Sequence, residues 1–148
     1  DYKLSVRFIE MMPIGYGVNY PRCDEEYIKN ILELAYGPML SINKKLGNGP
    51  ARYYELTGFQ GKIGFISAIS HKFCSDCNRI RLTSDGLLKT CLQYSGRLNL
   101  KELLRQGMSK EELEGLIKEE VSCKPCGHHF NEKGTDKDEK KYLGAIGG

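Results

Sequence analysis

This chain has no long apolar run. No stretch approaches the ~18 consecutive apolar residues that a bilayer-spanning helix requires, so a helical membrane span is excluded. No signal-peptide pattern opens the sequence, which therefore reads as cytoplasmic. An excess of one charge is missing too. The chain carries 22 basic and 19 acidic residues for a formal charge of +3, which excludes non-specific nucleic-acid binding through a basic surface and makes any basic function local. Internal repeats and low-complexity tracts are absent. With 148 residues, 40% of them hydrophobic, the chain can bury one modest core and is expected to form one domain.

What the chain does have is cysteine, six in all. Two C-x2-C pairs outside a secretory context favour reduced thiols that hold a metal over three disulfides. A small buried hydrophobe is the alternative for Cys23. Cys74 and Cys77 lie in the run Phe73-Cys-Ser-Asp-Cys-Asn-Arg-Ile-Arg-Leu-Thr83, and 13 residues separate Cys77 from Cys91. The short spacing lets one tight turn aim two sulfurs at one centre, while the longer spacer lets the third return on a neighbouring strand. Three thiolates around a four-coordinate centre leave one position open, an arrangement suited to chemistry rather than to a closed structural knot. A metal or cluster at Cys74, Cys77 and Cys91 is the first functional expectation.

Local patterns place these residues on elements. Lys3-Leu-Ser-Val-Arg-Phe-Ile9 reads as a buried strand, and Pro13 prevents its continuation. Such an end looks like the carboxyl end of a barrel or α/β strand feeding a site-bearing loop, with simple core plus a turn as the plainer alternative. From Asp24, an N-cap, the residues Tyr27, Ile28, Ile31, Leu32, Leu34 and Ala35 make a helical apolar face that Gly37-Pro38 stops. Ala51–Thr57 and Lys62–Ser67 read as a hairpin. A second hairpin, Arg79–Thr83 with Leu87–Cys91 about Ser84-Asp-Gly86, would place Cys91 beside the strand leaving Cys77. Asn99–Gln106 and Ser109–Glu120 are helical, the latter opened by a Ser109-x-x-Glu112 capping box with Leu113, Leu116 and Ile117 inward. Both serve packing. Asn131–Lys141 is polar and charged and reads as a mobile surface segment.

Several separated motifs together resemble one family. Arg7-Phe-Ile-Glu-Met-Met12, Gly49-Pro-Ala-Arg-Tyr-Tyr54, Gly61-Lys-Ile-Gly-Phe-Ile-Ser67, the Cys74 to Thr83 run with Asp85-Gly86, Cys91-Leu92 and the terminal Gly147-Gly148 are similar to the C-terminal portion of the GTP 3′,8-cyclases. These form the MoaA family of radical S-adenosylmethionine enzymes in molybdenum cofactor biosynthesis. The C-x2-C-x13-C spacing with Asn-Arg-x-Arg inside it is the specific part. The resemblance implies an α+β fold: the terminal strand of an incomplete TIM-type (β/α) barrel, then β-hairpins and helices forming a C-terminal iron–sulfur domain. It implies a division at 1–22 for the last barrel strand and its loop, 23–130 for the iron–sulfur and GTP-binding domain, and 131–148 for a mobile segment and Gly-Gly tail.

The resemblance further implies a four-iron four-sulfur cluster on Cys74, Cys77 and Cys91, whose free iron contacts the guanine of GTP. Arg79 and Arg81 stand two apart, so on an extended segment both point to one face, and two guanidiniums there suit a triphosphate. A solvated basic strand face is the plainer alternative. By the family pattern Arg7 and Ile80 also bind GTP, Met12 lines the S-adenosylmethionine pocket, and Gly147 and Gly148 join Arg79 and Arg81 in catalysis, the tail being free of side chains that would crowd a pocket. In that family a 5′-deoxyadenosyl radical takes the ribose C3′ hydrogen of GTP, and the carbon radical attacks C8 of guanine. The C-x3-C-x2-C motif of the second, radical-generating four-iron four-sulfur cluster is missing from these residues. The chain is therefore expected to be a part of the cyclase that does not turn over alone. A homodimer and a downstream cyclic pyranopterin monophosphate synthase are the partners implied, with neither nucleic acid nor membrane. The rival reading pairs Cys74 and Cys77 with Cys123 and Cys126 as a four-thiolate zinc ribbon, a structural interaction module. It leaves Cys91 idle. His71 reads as a hydrogen-bonding neighbour of the site or an ordinary loop residue.

Overall fold

A computed structural model of the chain describes residues 3–43, 46–132, 134 and 138–146. These form a mixed α+β structure with seven strands and three α-helices among the described residues. In place of one domain they divide into two compact units, one drawn from Asp1–Met12 and Tyr20–Asp76, the other from Pro13–Asn19 and Cys77–Gly148. No helix of the described residues is long and apolar enough to cross a membrane.

The first unit is a four-stranded sheet backed by one helix. Its strands are β1 (Ser5–Ile9), β2 (Met39–Ile42), β3 (Arg52–Leu56) and β4 (Lys62–Ile66), in the order β1-β4-β3-β2. β3 and β4 form the expected antiparallel hairpin, whereas β1 pairs with β4 in parallel, Ser5 opposite Lys62 through Ile9 opposite Ile66. The helix α1 (Glu25–Tyr36) begins where Asp24 accepts the Tyr27 N–H at 2.8 Å and ends at Gly37, whose φ of 87° is a left-handed conformation that glycine adopts without strain. Met39, Tyr54, Leu56 and Phe65 are the core, with Phe8, Ile28, Leu32 and Ile63 packed against it. The first strand was expected to be buried. It lies at the sheet edge instead, and Val6 and Ile9 are 52% and 60% exposed, because among the described residues it pairs with β4 alone and packs on the core through Phe8.

The second unit has a short antiparallel sheet of β5 (Arg81–Leu82), β6 (Leu87–Lys89) and β7 (Leu98–Asn99), followed by α2 (Leu100–Arg105) and α3 (Lys110–Ser122). The β5–β6 turn is set by its side chains. Thr83 Oγ1 donates to Asp85 at 2.5 Å and accepts the Leu87 N–H at 2.9 Å. Gly86 sits at φ 93°, and a Cβ there would collide with Lys101, so two independent constraints demand glycine. Asn99 caps α2, and Ser109 and Glu112 make both halves of the capping box on α3. Lys89, fully buried, pairs with Glu139, and Glu139 N–H donates to the Gln93 carbonyl at 2.6 Å. The segment that composition marked as a mobile surface stretch thus contributes a buried carboxylate.

Candidate thiol and nucleotide site

The six cysteines are all free, and their burial sorts them into two groups. Cys74, Cys77 and Cys91 are half-buried, whereas Cys23, Cys123 and Cys126 are exposed. Cys23, for which a buried hydrophobic role was open, therefore faces solvent.

Within the first unit, two buried carboxylates organise the loop that leads to Cys74. Glu10, just past β1, accepts from the Ile69 and Ser70 N–H groups at 2.8 and 2.9 Å and from the Ser70 hydroxyl. Glu25, at the start of α1, accepts from Arg52 at 2.6 Å, Ser67 Oγ at 2.5 Å and Tyr54 OH at 3.1 Å. Burial opposes ionisation of Glu25, but the hydrogen bonds from Ser67 and Arg52 and the Arg52 charge outweigh it and hold the carboxyl below its ordinary range. His71 Nδ1 lies 3.7 Å from Glu25 and 3.4 Å from Ser70 Oγ, so it extends this loop network. Cys74 follows on a 3-10 turn, Cys74–Asp76, closed by Asp76 N–H to Phe73 carbonyl at 3.1 Å.

Arg7 of β1 is also held within this unit. Its Nε donates to the Tyr53 hydroxyl at 2.5 Å, and its guanidinium stands 5.6 Å from the ring centroid. Gly64 of the intervening β4 makes this possible, since a Cβ there would approach the Tyr53 ring to 2.9 Å and Arg7 Cγ to 3.2 Å. Met12, three residues beyond β1, is half-buried.

In the second unit Cys77 opens the segment that enters β5, and Cys91 lies two residues beyond β6, whose Lys89 is opposite Arg81. Lys124, just past α3, reaches this segment. Its ammonium donates to the Cys77 carbonyl at 2.6 Å and the Arg79 carbonyl at 2.9 Å, and lies 3.5 Å from Cys77 Sγ. Arg79 and Ile80 are exposed and Arg81 is half-buried. β5 begins only at Arg81, so the strand ladder does not itself put Arg79 on the same face. Asp85 at the hairpin tip receives Lys141 Nζ and Thr83 Oγ1, each at 2.5 Å, and these bonds hold its carboxyl down to about 2. Gly147 and Gly148 lie outside the described residues.

Among the described residues no three His, Cys, Asp or Glu side chains come together as a metal site. The donor chemistry nevertheless suits a sulfur-bound centre. The thiols of the C-x2-C-x13-C motif are unoxidised and partly withdrawn from solvent, and an ammonium stands at one sulfur, a partner suited to a thiolate that carries charge. Sequence reasoning missed Tyr53, Glu10, Glu25, Lys89, Glu139 and Lys124. Each acts on a residue far away in the chain, and the one local signal was Gly64, a strand glycine of the kind that marks close approach.

Comparison with known proteins adds a lineage to this geometry. The family model described as Molybdenum Cofactor Synthesis C matches residues 4–130. A protein named GTP 3′,8-cyclase from Clostridium perfringens (strain SM101 / Type A) is 44% identical over 146 residues, covering 98% of this chain and 45% of the relative. The GTP 3′,8-cyclase of Syntrophomonas wolfei is 43% identical over 99% of the chain and 45% of its own length. That of Ectopseudomonas mendocina is 39% identical over 86% and 39%. The chain thus spans a little under half the length of the curated relatives it matches.

Proposed function

The chain belongs to the Molybdenum Cofactor Synthesis C family, and from that premise we propose that it is the C-terminal part of a GTP 3′,8-cyclase. The whole enzyme is a cytoplasmic lyase that converts GTP to (8S)-3′,8-cyclo-7,8-dihydroguanosine 5′-triphosphate by radical S-adenosylmethionine chemistry. The sorting of the thiols carries this reading. The three that the motif nominates are half-buried, and the three that it leaves out are exposed.

Cys74, Cys77 and Cys91 would hold the substrate-side four-iron four-sulfur cluster. That cluster, when bound, offers the guanine of GTP an iron that no protein ligand occupies. The chain's own residues position the rest of the nucleotide. Arg79 and Arg81 provide forked donors for the triphosphate, with Ile80 between them against the ligand. Arg7 commits its Nε to Tyr53, which fixes the guanidinium plane and leaves its Nη donors for GTP oxygens. Met12 supplies an apolar thioether to the S-adenosylmethionine pocket, and the Gly147-Gly148 tail joins the catalytic set. Fixing both ends of GTP confines a reactive radical to one hydrogen and one carbon, which is the protein's share of the catalysis.

In this reading β1 is a strand of a TIM-type barrel, which is supported by its edge position among the described strands and its exposed Leu4, Val6 and Ile9. On the same reading the second cluster, whose C-x3-C-x2-C motif is not among these residues, and the rest of the S-adenosylmethionine pocket beyond Met12 belong to other residues of the cyclase. A homodimer, and a cyclic pyranopterin monophosphate synthase that accepts the product, complete the proposal. Titration calorimetry of the anaerobically reconstituted chain with GTP tests it. Arg79→Ala and Arg81→Ala are each expected to weaken binding by about tenfold or more. Unchanged affinity in the double variant would remove both from the site.

A further inference from the structure

We propose that Lys124 is a positioning residue for the cluster and nucleotide segment, a role that rests on the cyclase reading above. An ammonium has three N–H donors and no acceptor. Here it meets three acceptors, and all belong to one short segment: the Cys77 carbonyl at 2.6 Å, the Arg79 carbonyl at 2.9 Å and the Cys77 sulfur at 3.5 Å. None of these contacts is a carboxylate, and among the described residues the lysine is not half of an ion pair. Its side chain is half-buried, and its backbone is fixed by the end of α3, where Cys123 N–H donates to Glu119 and Lys124 N–H to Val121.

The segment needs such a clamp. Residues 77–80 belong to no strand, and the β5–β6 ladder starts only at Arg81, so no backbone ladder fixes the peptide units that carry a thiol ligand and a phosphate-binding arginine. Charge-assisted bonds to two of those carbonyls fix them from the outside. The third donor faces the sulfur. A positive hydrogen-bond donor at a ligand sulfur stabilises added negative charge on the centre it binds, which raises its reduction potential. Lys124 therefore does two things with one group: it sets where Cys77 and Arg79 stand, and it would make a cluster bound through Cys77 easier to reduce.

Two measurements on Lys124→Met and Lys124→Arg chains test this. The first needs no metal. Trypsin cleaves after Arg79 only by taking the Arg79 carbonyl, the same oxygen that Lys124 holds, so K124M is expected to speed that cleavage about tenfold relative to cleavage after the exposed Arg105, and K124R to slow it again. Equal rates in K124M and wild type would overturn the clamp. The second is the midpoint potential of the reconstituted cluster, followed by its electron paramagnetic resonance signal. K124M is expected to shift it to more negative values and K124R to return it toward wild type, whereas a potential unmoved in K124M would overturn the tuning role. A wild-type chain that binds no iron and sulfide overturns the cyclase reading and the positioning role with it. Faster trypsin cleavage in K124M would then mark the clamp as purely structural.

Discussion

Two residues separate Cys74 from Cys77, and two separate Cys123 from Cys126, yet the chain treats the two pairs differently. The first pair is half-buried and the second exposed. Residues before Cys74 are tied to the buried carboxylates Glu10 and Glu25. Cys77 is gripped through its own carbonyl and approached at its sulfur by Lys124, and Lys124 itself sits between Cys123 and Cys126. The second pair thus brackets a residue that serves the first. A spacing makes a ligand pair possible, and the groups around it decide whether the fold has built one.

The sharpest way to break this contrast is to remove thiols one at a time. Cys77→Ala and Cys91→Ala are each expected to abolish retention of iron and sulfide after anaerobic desalting, while the double Cys123→Ala, Cys126→Ala chain keeps its full content. Loss of iron in the latter would merge the pairs and restore the zinc-ribbon arrangement. Next in size is the arm that carries Cys91. Lys89 and Glu139 have side chains only 1% and 6% exposed, so Lys89→Met leaves a buried carboxylate without its cation and is expected to cost about 3–5 kcal/mol in urea unfolding. A cost below about 1 kcal/mol would mean that solvent reaches Glu139.

Glu10 sharpens the same comparison on the Cys74 side. Glu10→Ala strips the Ile69 and Ser70 N–H groups of their acceptor and is expected to destabilise the chain by about 1–3 kcal/mol. The smallest effect belongs to the exposed hairpin tip between Cys77 and Cys91. Lys141 and Thr83 hold Asp85 at about 2, below its ordinary 3.8. Its contribution is complete above the unfolded value and disappears as pH falls through about 2. Asp85→Asn is therefore expected to lower the melting temperature slightly near neutrality and to make a difference that shrinks to nothing only well below pH 2. A difference that persists there would place the effect elsewhere than in the carboxylate.

Local chemistry was readable before the fold. Asp24 and Gly37 bound α1, Ser109 and Glu112 cap α3, and the β3–β4 hairpin lies where alternation and Gly58-Phe-Gln-Gly61 put it. Each needs only neighbours in sequence. The thiol motif was readable for the same reason, and burial sorts the cysteines along it. The parallel pairing of β1 with β4 was not legible, because it joins strands more than fifty residues apart, and neither was the short β2 beside β3. Nothing in residues 138–141 advertises a buried carboxylate. Lys124 reaches Cys77 across 47 positions, and Arg7 reaches Tyr53 across 46. Such contacts are products of packing rather than of propensity, which is why the residues that hold the candidate site came from the structure and its thiols from the sequence.

The most direct test is metal and acid-labile sulfide analysis, with an optical spectrum, on chain reconstituted without oxygen and measured again after GTP is added. Half-buried Cys74, Cys77 and Cys91 acting as three ligands to a centre with an open iron predict about four irons and four sulfides per chain and a spectral change on adding GTP. Zinc without sulfide, and a spectrum indifferent to GTP, would contradict it.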